Sequence, residues 1–88
     1  MKDLSSLRSE IDKIDAELVR LFERRMLVAI EISEYKKQNG LVVFDANREY
    51  QVIKSCISQL HDKSLTDKLE QWIRFTMKLS RDVQESIF

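Results

Sequence analysis

Arg25 stands where an apolar side chain belongs. Leu7, Ile11, Ile14, Leu18, Leu21, Val28, Ile32 and Tyr35 follow one another at alternating spacings of four and three, and the arginine fills the one gap in that row. A guanidinium at such a position must find an anion or lie exposed, because an unpaired buried charge is strongly unfavourable. Pairing with a Glu of a facing helix would satisfy it, and so would an anionic ligand. Lys36 is eleven residues further on, about 20° around a helix and about 16 Å along it, so the two cations share a stripe and can reach toward one anion between them. A lysine in a last helical turn also serves as an ordinary partner of the helix dipole. Ser80 and Gln84 lie one turn apart on a later apolar row, and Asp45, Arg48 and Glu49 crowd the start of another helix where backbone donors are free. What these residues lack is a nucleophile with a base beside it. The one cysteine, Cys56, falls on an apolar face and reads as core, and the one histidine, His61, falls in a connection and reads as solvated. Each polar residue of the two later helices also reads as an ordinary surface residue; taken together with Arg25 and Lys36 they offer a small anion a place to be held, with no obvious machinery for covalent or imidazole-based catalysis.

Composition narrows the class further. Eighty-eight residues make one domain, 1–88. One cysteine forms no internal disulfide, which points to a reducing, cytoplasmic setting, and one His with one Cys leaves no cluster for a zinc or iron–sulfur site. No metal and no cofactor is expected. Equal numbers of acidic and basic residues, 15 of each, argue against a sequence-independent nucleic-acid binder. The chain has no apolar run long enough to span a bilayer and no signal-peptide pattern at its start. No nucleic-acid or membrane partner is expected.

The elements that must carry the polar residues are helices. A single Gly and no Pro remove the usual punctuation of strands and tight turns, and the apolar spacing is helical throughout, so the fold class is all-α. Helix 1 should run over about 4–39, with Phe22 and Ala29 widening its stripe and Gly40 as a left-handed residue just past a basic last turn. Asp45 reads as the N-cap of helix 2, about 46–60, with Val52, Ile53, Cys56, Ile57 and Leu60 inward. Ser64 with Asp67 approximates a capping box for helix 3, about 65–87, whose apolar row is Leu65, Leu69, Trp72, Ile73, Thr76, Met77, Ser80, Val83 and Ile87. Trp72 reads as core. Thirty-six helical residues span about 54 Å, whereas a compact chain of this length is about 30 Å across. Two shorter helices cannot cover that stripe. A second copy packed about a two-fold axis, an intertwined helical homodimer, is the economical solution, and an elongated monomer or a piece of a larger bundle is the alternative.

The ordered set resembles one family, the all-helical chorismate mutases of the short bacterial type. Leu7-Arg8-Ser9-Glu10-Ile11-Asp12-Lys13-Ile14-Asp15 is similar to the family's opening, followed by Arg24-Arg25 after Leu21-Phe22, Lys36 after Ile32, Asp45 with Arg48-Glu49, and Ser80 with Gln84. The resemblance covers nearly the whole chain. It implies a Claisen rearrangement of chorismate to prephenate, at the branch toward phenylalanine and tyrosine, which needs no nucleophile, general base, metal or cofactor. By that resemblance Arg8 and Arg25 clamp the substrate carboxylates, Lys36 and Gln84 donate to the ether oxygen, and Glu49, with backbone near Asp45, holds the ring hydroxyl. Arg48 and Ser80 make supporting contacts. The resemblance also implies that Arg8 is supplied by the partner chain, and the seventeen residues that separate it from Arg25, about 25 Å along one helix, agree with that division. An isochorismate pyruvate lyase on the same fold, and a non-enzymatic dimerisation or regulatory module, are the rival readings. Feedback through a dehydratase, dehydrogenase or effector domain within this chain is not expected.

Overall fold

The computed structural model describes residues 2–87, with Ile87 described by its backbone alone. Three α-helices follow one another, α1 (Leu4–Gln38), α2 (Ala46–Ser58) and α3 (Thr66–Ile87), with one 3-10 turn at Lys63–Leu65. The side chain of Ile87, placed on the apolar row of helix 3 by its spacing, lies outside the described residues.

The start and stop of α1 follow from its end residues. Asp3 Oδ1 accepts from the Ser6 amide at 2.8 Å and closes one of the free donors of the first turn. Thirty-five residues without Gly or Pro then continue unbroken to Gln38. At the far end the Leu41 amide returns to the Lys36 carbonyl at 2.8 Å and the Gly40 amide to the Lys37 carbonyl at 3.4 Å, a Schellman closure. This closure needs a positive φ at the residue after the cap, and Gly40 supplies it at +66°.

Asp45 caps α2 by accepting from the Arg48 amide at 3.0 Å. α2 ends at Ser58, two residues before the reach of its apolar row. There Ser58 Oγ and Gln59 Nε2 join the Gln59 amide on the Ser55 carbonyl, and Lys63 Nζ joins the Leu60 amide on the Ile57 carbonyl, so the last-turn acceptors are satisfied without further helix. The opening of α3 also differs from the Ser64–Asp67 capping box. Asp62, a charged acceptor, takes both the Ser64 amide at 3.0 Å and the Ser64 hydroxyl at 2.6 Å. Ser64 is thereby spent as a donor, one 3-10 turn forms, and α3 begins at Thr66.

α3 is the element that both others pack against. Toward α2 it buries Ile73 and Met77 with Ile53, and Val52, Cys56 and Ile57 pack around them. Toward α1 it meets the small residues Ala29 and Ser33, both buried. The heptad row itself is left uncovered, from Leu18 at 42% exposed to Tyr35 at 63%. Trp72, assigned to the core by its spacing, is 56% exposed, because the buried face of α3 is centred on Ile73, Met77, Ser80 and Gln84. The chain measures 56 × 25 × 16 Å with a radius of gyration of 16.2 Å, against about 12 Å for a compact chain of this length. No helix among the described residues is long and apolar enough to cross a membrane.

Two outcomes follow from the ends of α1. A Cβ at Gly40 would meet nothing within 4 Å, so Gly40→Ala carries only the conformational penalty of a positive φ, about 1 kcal/mol. Urea denaturation should show that loss, with Gly40→Asn losing less. Hydrogen bonds from the backbone amide and then the side chain of Ser6 hold the Asp3 carboxyl below the usual carboxylate range. A lowered folded value means that the cap is fully effective above the ordinary value and is lost as pH falls through the lowered one. Protection of the Ser6 amide relative to its intrinsic exchange rate at each pH should therefore fall in acid, and Asp3→Asn should remove that dependence.

Candidate active site

A groove of about 260 Å³ opens between the C-terminal half of α1, the start of α2 and the C-terminal half of α3. Val28, Ala29, Ile32, Val43, Val52 and Met77 form its apolar walls. The remaining lining is polar and unequal in sign: Arg25, Lys36, Arg48 and Arg81 against Asp45 and Glu49, with Ser80 and Gln84 neutral. Two surplus positive charges in a cleft with apolar walls suit a small dianion.

Four polar lining side chains are each tethered to another element. Arg25 Nη1 donates to Ser80 Oγ, while the Ser80 hydroxyl proton goes to the Thr76 carbonyl at 3.1 Å. The serine has one proton to give and gives it to its own helix, which leaves its lone pairs to orient the guanidinium. Lys36 Nζ donates to the Val43 carbonyl at 2.7 Å, an acceptor brought within reach by the turn at Gly40. Gln84 Nε2 donates to the Ala29 carbonyl at 3.0 Å. Glu49 accepts from Arg81 Nη1 through both carboxylate oxygens. Each donor keeps capacity for a ligand: two further protons on Lys36, one on the Gln84 amide, four on Arg25.

Of the eight residues singled out in the sequence, seven line this groove: Arg25, Lys36, Asp45, Arg48, Glu49, Ser80 and Gln84. Arg8 does not. It lies exposed near the start of α1, about 25 Å along that helix from Arg25. Cys56 packs beside the α2–α3 core and His61 is exposed, both outside the groove.

The sequence matches the family Chorismate mutase type II over residues 7–85. The chain belongs to this family. Among curated relatives, the T-protein of Haemophilus influenzae is 36% identical over 55 residues, which is 62% of this chain and 15% of that protein. The bifunctional chorismate mutase/prephenate dehydratase of Aquifex aeolicus is 35% identical over 57 residues, 65% of this chain and 16% of that protein. The alignments thus span about a sixth of the length of each relative.

Two residues of this chorismate mutase domain escaped the sequence reading. Arg81 follows Met77 by four and precedes Gln84 by three, so helical spacing alone places it at the edge of the buried face of α3. That signal was present, and it was masked by an apolar row drawn through Val83 instead. Ser33 carried a weaker signal, a small polar residue four after Ala29. It is fully buried, and its Oγ donates to the Gln84 carbonyl at 2.9 Å. That carbonyl lies in the last turn of α3, so Ser33 ties the end of α3 to a different helix. Ser33→Ala should cost about 1–2 kcal/mol in urea denaturation. An unchanged midpoint would show that the α1–α3 contact does not rest on this bond.

Proposed function

We propose that this chain catalyses the rearrangement of chorismate to prephenate, in a homodimer whose active sites are shared between chains. The observation that carries this is the convergence of Arg25, Lys36 and Gln84 on one groove, each held by a hydrogen bond that it donates to another part of the chain. An intramolecular rearrangement gains from two effects. Gripping a flexible dicarboxylate in its folded conformer removes entropy before the barrier. Fixed donors at the ether oxygen stabilise the negative charge that develops as its bond to the ring breaks, with no reorganisation at that moment. Arg25 suits a carboxylate, since its planar fork can make paired bonds. Lys36 supplies most of the positive charge at the ether oxygen, and Gln84 a second, neutral donor. Glu49 accepts from the ring hydroxyl, which distinguishes chorismate from an isomer whose hydroxyl lies elsewhere. Arg48 and Asp45 flank that end of the groove at the start of α2.

The uncovered apolar row of α1 supports the dimer, and Val28 and Ile32 belong both to that row and to the groove wall. A second α1 on that row, running antiparallel, would bring Arg8 of the partner subunit to the other carboxylate. The whole of 1–88 then acts as one domain, in the reducing cytoplasm that the free Cys56 accords with.

Chorismate absorbance should fall as prephenate forms. Release of pyruvate from isochorismate instead would favour the lyase, and neither reaction would favour a binding module. Arg25→Ala should lower kcat/KM by at least ~100-fold while helicity and dimer mass stay unchanged. Normal turnover in that variant would sink the assignment. Mixed dimers of inactive Arg8→Ala and Lys36→Ala chains should regain activity through one site that carries neither change, and no recovery despite subunit exchange would place the two residues in the same chain's site.

A further inference from the structure

Arg81 is the lining cation to which the reading above gives no task. It is joined to Glu49 across two helices, and one terminal nitrogen, Nη1, donates to both carboxylate oxygens. The side chains are 29% and 23% exposed, whereas those of the pairs Arg74–Glu70 and Lys78–Asp82 on α3 are 43–61% exposed. The Arg81 guanidinium also lies over the Phe44 ring, 5.3 Å from its centre, in the connection just before the cap of α2. One side chain of α3 therefore clamps both the start of α2 and the segment leading into it. Met77, Ser80, Arg81 and Gln84 sit at i, i+3, i+4 and i+7, one face of α3, and all line the groove.

We infer that Arg81 is a positioning residue, which fixes the Glu49 carboxylate for the ring hydroxyl and thereby sets which hydroxyl position the groove accepts. This rests on the reading of function given above. A carboxylate facing a dianionic substrate is otherwise a liability, since like charges repel across a cleft of low polarity. Arg81 offsets that charge and leaves the carboxylate an acceptor. It occupies one lone pair on each oxygen, and each oxygen has another for a hydroxyl donor. It also restrains a side chain with three rotatable bonds, which on its own would have to be ordered each time substrate bound. The partly screened position and the stacking on Phe44 favour arginine over lysine for this task.

The test is a kinetic cycle with chorismate on the unaltered chain, Arg81→Gln, Arg81→Lys, Glu49→Gln and the double variant Arg81→Gln/Glu49→Gln, with circular dichroism as the check on folding. Arg81→Gln should lower kcat/KM by at least ~10-fold, mostly through KM, because the hydroxyl neither forms nor breaks a bond in the reaction. Arg81→Lys should recover part of the loss. In the double variant the Arg81 change should add nothing to Glu49→Gln, since it acts through that carboxylate. Indifference of kcat/KM to Arg81→Gln in an active chain overturns the inference alone. Multiplying effects in the double variant overturn it as well, by showing Arg81 acting on substrate without Glu49. Absence of turnover in the unaltered chain instead overturns the reading of function, and the inference falls with it.

Discussion

Two hydrogen bonds running in opposite directions between α1 and α3 set the register on which the groove depends. Ser33 Oγ gives to the Gln84 carbonyl, and Gln84 Nε2 gives back to the Ala29 carbonyl one turn earlier on α1. Ala29, Ser33 and Gln84 are all buried, so these bonds form where water does not compete for their partners. A slip of one residue along either helix would move each partner by about 1.5 Å and turn it by about 100°. No such slip keeps both bonds. At the observed register Arg25 meets Ser80, the groove has a floor of small and apolar residues, and Gln84 is at once part of the packing and a donor within the site.

The same economy recurs around the groove. Each main polar side chain has one bond to another element and donors or lone pairs to spare: Arg25 through Ser80, Lys36 through the Val43 carbonyl, Gln84 through the Ala29 carbonyl, Glu49 through Arg81. Such tethers meet the cost of ordering during folding, so that less is left to meet when a ligand arrives. They also draw on every part of the chain. The turn at Gly40, the cap at Asp45 and the α2–α3 core are each needed to bring one tether into place. The chain is neutral overall, yet the groove carries more cations than carboxylates. A local field of one sign within an otherwise neutral chain favours a small anion in the groove.

The stability of this arrangement is not contained within one chain. Ile53, Ile73 and Met77 are a small core for 88 residues, and the long apolar row of α1 remains exposed from end to end. Burial on that scale is the main favourable term in folding, so a chain that leaves it unused has either a partner or little margin. The row and the groove share Val28 and Ile32, which links whatever covers the one to the shape of the other.

Much of this was legible in the residues. The heptad row, the glycine after a basic turn and the aspartate at residue 45 specify three helices because local chemistry governs their ends: a positive φ that only Gly adopts cheaply, and a carboxylate that closes free amides. The polar interruptions at Arg25, Ser80 and Gln84 stand out because apolar periodicity makes exceptions visible. The tethers were not legible, since Ser33 to Gln84 spans 51 residues and Arg81 to Glu49 spans 32, and no local spacing encodes such pairings. Nor was the face of α1 that meets α3. Periodicity favoured the large residues, whereas close approach of two helices selected the small ones, Ala29 and Ser33. The sequence by itself determined the helices, the ends of α1, the start of α2 and the supply of cations and donors, because these depend on neighbours within a turn. Which donors share a groove, and what holds each of them there, was decided by tertiary packing, because only the docking of α3 on α1 and α2 brings distant turns to within a hydrogen bond.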